Sequence, residues 1–200
     1  MIKEFTLKYM NDLQDTLRES NLENVEEIVH SLLAAYEAEK QIFIMGNGGS
    51  GSTASHFACD INKGVSLGLE KRFKVISLSD NIPTMLAYAN DCSYEEIFVE
   101  QLKNFMNEGD VVIGVSGSGN SKNVIRAIQY ANERGVTTIA LSGFDGGEIA
   151  RIARFSFVAP VHDMQKVEDV HLIVSHVIMQ ILHKKLRLGS DNLACSAASA

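Results

Sequence analysis

Tryptophan is missing from this chain of 200 residues, proline occurs twice and cysteine three times. So little proline excludes a proline-rich linker and leaves long stretches free to form helices and strands. The cysteines, Cys59, Cys92 and Cys195, are odd in number and lack C-x-x-C spacing. That speaks against a disulfide framework and against a cysteine-based metal centre. Long apolar runs are missing too: none approaches the roughly 20 residues of a membrane span. The opening MIKEFTLKYM does not read as a signal peptide, so the expected location is the cytoplasm. Basic charge is scarce, with 18 Lys and Arg against 25 Asp and Glu, a net charge of −7. No basic cluster offsets it, which argues against a nucleic-acid backbone as main partner. What remains is ordinary: 46% hydrophobic and 22% charged residues, and enough length for one α/β domain with a full core.

The most informative stretch is Gln41 to Asp60. Gln41-Ile-Phe-Ile-Met45 reads as a buried strand. Gly46-Asn-Gly-Gly-Ser-Gly-Ser52 follows, with four glycines and two hydroxyls in seven residues, and a helix is expected from about Thr53. Strand, glycine loop and helix N-terminus together form an anion site, and phosphate is the usual anion. His56 and Asp60 sit one helical turn apart on that helix and share a face. A phosphate cradle beside a His/carboxylate pair suggests chemistry on a phosphorylated small molecule. Gly46-x-Gly48-x-x-Gly51 also matches the dinucleotide fingerprint. A dinucleotide site wants an acid about 20 residues on, at the end of the next strand, whereas Asp80 lies nearly thirty past Gly51. A nicotinamide enzyme therefore stays open as an alternative, while the expected cofactor set contains no nucleotide.

Along the chain, residues 2–18 and 20–36 read as two amphipathic helices, the second opened by a capping box, Ser20-Asn-Leu-Glu23. They are more than a minimal doubly wound domain requires, and packing on a second subunit is their expected role. Further strands are expected at Phe73–Leu78, Val111–Val115, Thr137–Leu141 and Phe155–Ala159. Helices are expected from Asp80-Asn-Ile-Pro83, over 94–107, over 121–134, after Asp145 and over about 165–187. Strands alternating with helices predict a doubly wound, five-stranded parallel sheet with helices on both faces. The domain spans 1–188, with 1–38 as the extra N-terminal helices and 189–200 as a disordered tail. A second serine- and glycine-rich loop, Ser116-Gly-Ser-Gly-Asn-Ser121, follows another apolar strand. In such a sheet both loops open at the carboxyl ends of the strands, where ligands bind.

These motifs carry a resemblance. Gly46-Asn-Gly-Gly-Ser50 with His56-Phe-Ala58, Ser116-x-Ser-Gly-Asn-Ser121, Leu141-Ser-Gly-x-Asp-Gly-Gly147 and Val170-His-Leu-x-x-x-His176 resemble a sugar isomerase (SIS) domain of the phosphoheptose isomerase family, from about residue 30 to 187. The resemblance implies a flavodoxin-like sheet and an aldose–ketose isomerase. It implies the interconversion of sedoheptulose 7-phosphate and D-glycero-D-manno-heptose 7-phosphate, which feeds surface-polysaccharide heptose. It also implies a homotetramer with active sites between subunits, carrying one zinc ion each.

Carried over by position, Ser50, Ser116, Ser118 and Ser121, with the backbone of Gly48, Gly49 and Gly117, are expected to hold the phosphate. Asn47 and Asp91 match residues on sugar hydroxyls. Asp60 and His176 are the expected catalytic pair, and His56, Asp60, Glu168 and His176 the expected metal ligands. Asp60 replaces the family's glutamate, and Glu168, also a candidate substrate contact, replaces its glutamine. An ideal helix rises about 12 Å over eight residues, too far for Glu168 and His176 to share one ion comfortably. Either the last helix starts after Glu168 or Glu168 is no ligand. His171 and His183 read as helix residues without a role. Two regulatory alternatives share the fold: a phosphosugar-sensing SIS domain and a replication-initiator-associated tetramer. Titratable groups at positions 60 and 176 favour the enzyme.

Overall fold

The structure is a computed structural model that describes residues 1–197, with side chains described through Arg187. The tail expected over 189–200 lies outside the described side chains. Five strands form one parallel sheet in the order β2-β1-β3-β4-β5: β1 Gln41–Gly46, β2 Lys74–Ser77, β3 Val111–Ser116, β4 Thr137–Gly143 and β5 Phe155–Ala159. The helices are α1 Ile2–Glu19, α2 Glu23–Glu37, α3 Gly48–Cys59, α4 Ile82–Asp91, α5 Val99–Phe105, α6 Lys122–Asn132, α7 Gly147–Ile152 and α8 Met164–Ala197.

Strand alternation sorts the core into two layers. Ile42 and Ile44 join Phe57, Val111, Ile113, Leu141, Val170 and Val174 on the side covered by α2, α3 and α8. Phe43 and Met45 join Val112, Leu102, Val124, Ile128 and Ile149 on the side covered by α5, α6 and α7. The expected doubly wound architecture is therefore present, β1, β3 and β4 being buried on both faces while the edge strand β2 leaves Lys74 and Ile76 exposed. No helix among the described residues is long and apolar enough to cross a membrane.

Local detail departs from the sequence reading in four places. α3 begins at Gly48 rather than near Thr53, so the glycine run is itself the first helical turn and Asn47 its N-cap residue. The capping box does not form: Ser20 Oγ donates back to Thr16 O, and Asn21 Oδ1 accepts the Glu23 N–H at 3.0 Å. Residues 94–107 split into a 3-10 turn at Tyr94–Glu96 and the short α5. After Cys59 the α3 helix widens into a π-helical stretch, Asp60–Val65.

The two N-terminal helices also differ from each other. α2 buries Val25, Ile28, Val29, Leu32, Ala35 and Tyr36 in this chain's own core, the valines, isoleucine and leucine contributing roughly 1.5–3 kcal/mol each. α1 buries only Thr16. It is fastened to the start of α8 by polar contacts instead. Tyr9 Oη donates to Asp169 Oδ2 at 2.6 Å, and Lys166 bridges Asp12 and Asp163 at 2.8 and 3.1 Å. The Asp169 carboxylate, with burial, pushes the Tyr9 phenol up to about 12.

Candidate active site

The strand order reverses direction between β1 and β3, and the loops leaving these two neighbours flank a crevice at their carboxyl ends. Each loop delivers a helix of three turns, α3 from Gly48 and α6 from Lys122, so two sets of unpaired N–H groups face one region. Ser50 is buried in the first turn of α3, and Ser116 is buried at the end of β3. Ser116 Oγ and Ser121 Oγ lie 2.9 Å apart, and Ser118 Oγ accepts the Asn120 N–H at 3.2 Å. The loops touch through side chains, because Asn47 and Asn123 exchange two amide hydrogen bonds of 2.9 Å. Asn47, Gly48, Ser52 and Tyr94 line a cavity of about 490 Å³ at this mouth, a volume suited to a small polar ligand.

Backbone approach explains the glycines. A Cβ on Gly49 would strike the carboxylate of Glu168, so α8 lays an acid directly over the first turn of α3. Gly119 has φ +68°, a left-handed conformation, and a Cβ there would collide with the carbonyl of Gly146. The second loop is locked to the turn after β4 by Gly143 N–H to Gly117 O at 2.9 Å and Ile149 N–H to Gly119 O at 3.0 Å.

At the other end of α3 three side chains converge. His56 Nε2 lies 3.3 Å from Asp60 Oδ2, His176 Nε2 lies 3.6 Å from the same oxygen, and the two Nε2 atoms are 2.9 Å apart. Their ligand atoms all fall within 4.8 Å of one another, close enough to surround one metal ion. Two imidazoles and one carboxylate are a donor set that zinc accepts, and three protein ligands leave a coordination position open. Asp60 Oδ1 has no hydrogen-bond partner among the described residues.

Glu168 is not brought to this group. α8 already runs as helix from Met164, so Glu168 stands two turns from His176, against Gly49 and away from the triad. The expectation of a fourth ligand there is corrected by that helical rise. Asp91 ends α4 exposed to solvent, its Oδ1 taking a hydrogen bond from Asn90 Nδ2 at 2.7 Å, and makes no hydrogen bond to the other candidates.

Three residues at the site escaped the sequence reading. Asn123 and Tyr94 both bind the Asn47 carboxamide, Tyr94 Oη donating to its Oδ1 at 2.8 Å. His171, expected to be idle, is fully buried with Nε2 2.8 Å from Ser142 O, which ties α8 to the end of β4. Burial pushes its imidazole down to about 4.

The chain and its fold have counterparts among known proteins. The SIS domain family pattern matches residues 7–143. A phosphoheptose isomerase from Helicobacter pylori (strain P12) is 35% identical over 182 residues, covering 91% of this chain and 90% of the relative. One from Clostridium acetobutylicum is 36% identical over 165 residues, covering 82% and 84%. The solved phosphoheptose isomerase GmhA from Neisseria gonorrhoeae superposes with a TM-score of 0.83 at 26% identity, over 92% of this chain and 97% of that one. The chain belongs to the phosphoheptose isomerase family of SIS-domain proteins.

The two departures expected from the resemblance can now be placed. The short Asp60 side chain still brings Oδ2 to both histidines. Glu168 puts a charged group at the positive end of α3.

Proposed function

We propose that this family member is an aldose–ketose isomerase that interconverts sedoheptulose 7-phosphate and D-glycero-D-manno-heptose 7-phosphate through an enediolate. The observation that carries this reading is the convergence of His56, Asp60 and His176 on the same helix system whose N-terminus forms the phosphate cradle. Moving a carbonyl between C2 and C1 requires a base for the carbon-bound proton and an electrophile for the oxygen that gains charge.

In this reading the phosphate rests on the N-termini of α3 and α6, held by Ser50, Ser116, Ser118 and Ser121 and by the backbone of Gly48, Gly49 and Gly117. His56 lies six residues beyond Ser50, about 9 Å of helical rise. Six C–C bonds of about 1.5 Å carry a seven-carbon chain over a comparable span, whereas a triose phosphate would not reach. Asp60 turns Oδ2 to the imidazoles and keeps Oδ1 for the proton, taking it from one carbon and returning it to the next. His176 stands beside that carboxylate to exchange the hydroxyl proton at Nε2. Bound zinc would be held by His56, Asp60 and His176 and would polarise the carbonyl and its neighbouring hydroxyl, taking over the part that the His176 Nε2 proton plays without it. Asn47, Asp91 and Glu168 are assigned to the sugar hydroxyls.

The working enzyme is proposed to be a cytoplasmic homotetramer with active sites between subunits, supplying heptose for surface polysaccharide. The direct test incubates purified protein with sedoheptulose 7-phosphate in D2O and follows the product by NMR. Aldose formation with solvent deuterium at C1 or C2 is expected. Absence of turnover on every phosphorylated ketose and aldose of five to seven carbons would remove the reading.

A further inference from the structure

The Asn47–Asn123 pair fixes more than the distance between two loops. A carboxamide can be turned either way round, and the partner atoms decide which. The backbone N–H of Val124, which can only donate, points at Asn123 Oδ1 from 2.9 Å. That atom must therefore be an oxygen, and the Asn47 atom facing it, 2.9 Å away, must be Nδ2. Asn47 Oδ1 in turn accepts from Asn123 Nδ2 at 2.9 Å and from Tyr94 Oη at 2.8 Å. Both of its lone pairs are then occupied, while one N–H of Nδ2 has no partner among the described residues. Asn47 lines the cavity at the loop mouth together with Tyr94.

The partners of Asn47 are themselves held as one body. Asn123 is only 2% exposed, in the first turn of α6. The 3-10 turn that carries Tyr94 is joined to the same helix by Glu95 with Lys122 at 3.2 Å, Glu95 with Arg126 at 3.4 Å, and Glu96 with Arg126.

We propose that Asn123 is a positioning residue which, with Tyr94, presents Asn47 to the sugar as an N–H donor only, aimed at a substrate oxygen near the phosphate end of the cavity. The proposal rests on the isomerase reading. A donor whose direction is set before substrate arrives loses little freedom on binding, which is how preorganised groups raise affinity. The same geometry discriminates, because a sugar oxygen meets the open N–H without a competing lone pair from Asn47.

The test compares Asn47→Ala, Asn123→Ala, their double variant and Tyr94→Phe in steady-state isomerisation, with calorimetric titration of inorganic phosphate on each. Asn123→Ala is expected to raise KM about 5- to 10-fold, one lost hydrogen bond to the sugar, with kcat and phosphate affinity nearly unchanged. Because Asn123 acts through Asn47, the double variant should have a KM no higher than that of Asn47→Ala alone. Tyr94→Phe, at an exposed position where folding is not at issue, should raise KM several-fold with phosphate affinity unchanged. Losses that multiply in the double variant, a parallel fall in phosphate affinity, or wild-type KM in Tyr94→Phe would overturn the assignment while leaving the isomerase reading intact. A wild type without turnover would sink both.

Discussion

Asp60 shows how a short side chain can still reach a shared centre. It opens the π-helical stretch after α3, a local widening of the helix that recurs at functional sites, and its Oδ2 sits within 3.6 Å of both imidazoles. Replacing it by asparagine keeps the shape and removes the basicity. Asp60→Asn should lower kcat by about two to four orders of magnitude while leaving phosphosugar affinity within a few-fold by calorimetry. Bound zinc, measured by elemental analysis, should fall too. Asp60→Glu is also expected to lose activity, since the added methylene moves the carboxylate by about 1–1.5 Å. Unchanged turnover in that variant would mean that Asp60 does not transfer the proton. His56 and Asp60 were legible from spacing alone, because i,i+4 is a local rule, and His176 from a motif. Asn123 and Tyr94 were not, because their contacts with Asn47 span 76 and 47 residues. No local pattern announces a pairing of that range.

At the scale of elements, the strands were read to within a few residues and the helix starts less well. The run at Gly46–Ser52 looked like a loop because glycine is a poor helix former. It is a helical turn over which α8 lays the flexible end of Glu168. In Gly49→Ala that carboxylate should swing aside at little cost, and since alanine is the better helix former the melting temperature should hold or rise slightly, by up to about 1 kcal/mol of stability. Calorimetric scanning checks this; a clear fall, reversed by adding Glu168→Ala, would show that Glu168 cannot move.

α8 also carries a pH dependence. His171 is neutral and buried, and burial depresses its folded pKa to about 4 from the ordinary value of 6.5. The unfolded chain binds a proton there first, so this contribution to stability is complete above about pH 6.5 and falls away towards pH 4, by about 3 kcal/mol in all. Urea midpoints should drop over that window in wild type and drop less in His171→Phe. The difference between the two curves isolates His171 from the carboxylates that titrate below it.

The molecule as a whole leaves its candidate centre open and its first helix uncovered. His56 and His176 are half-exposed, whereas proton abstraction beside a carbonyl profits from a site that excludes water. On α1, Ile2 and Phe5 are 81% and 69% exposed, and Met10 continues the same stretch. Nearby, Leu17, Leu22, Val25 and Val29 with Val177 and Ile181 of α8 border an apolar groove of about 400 Å³. α2 proved to belong to the chain's own core, so it is α1 and this groove that remain for a second copy. A charge placed on α1 separates folding from assembly. Phe5 makes little contact within its own chain, so Phe5→Asp should leave the melting of the monomer fold nearly unchanged, within about 0.5 kcal/mol. If that face is covered by another subunit, the same carboxylate is buried unpaired, at a cost of several kcal/mol. Light scattering should then show the wild type as a tetramer and Phe5→Asp as smaller species with reduced turnover. A wild-type monomer at micromolar concentration would refute the assembly, and a variant that stays tetrameric would move the interface off α1.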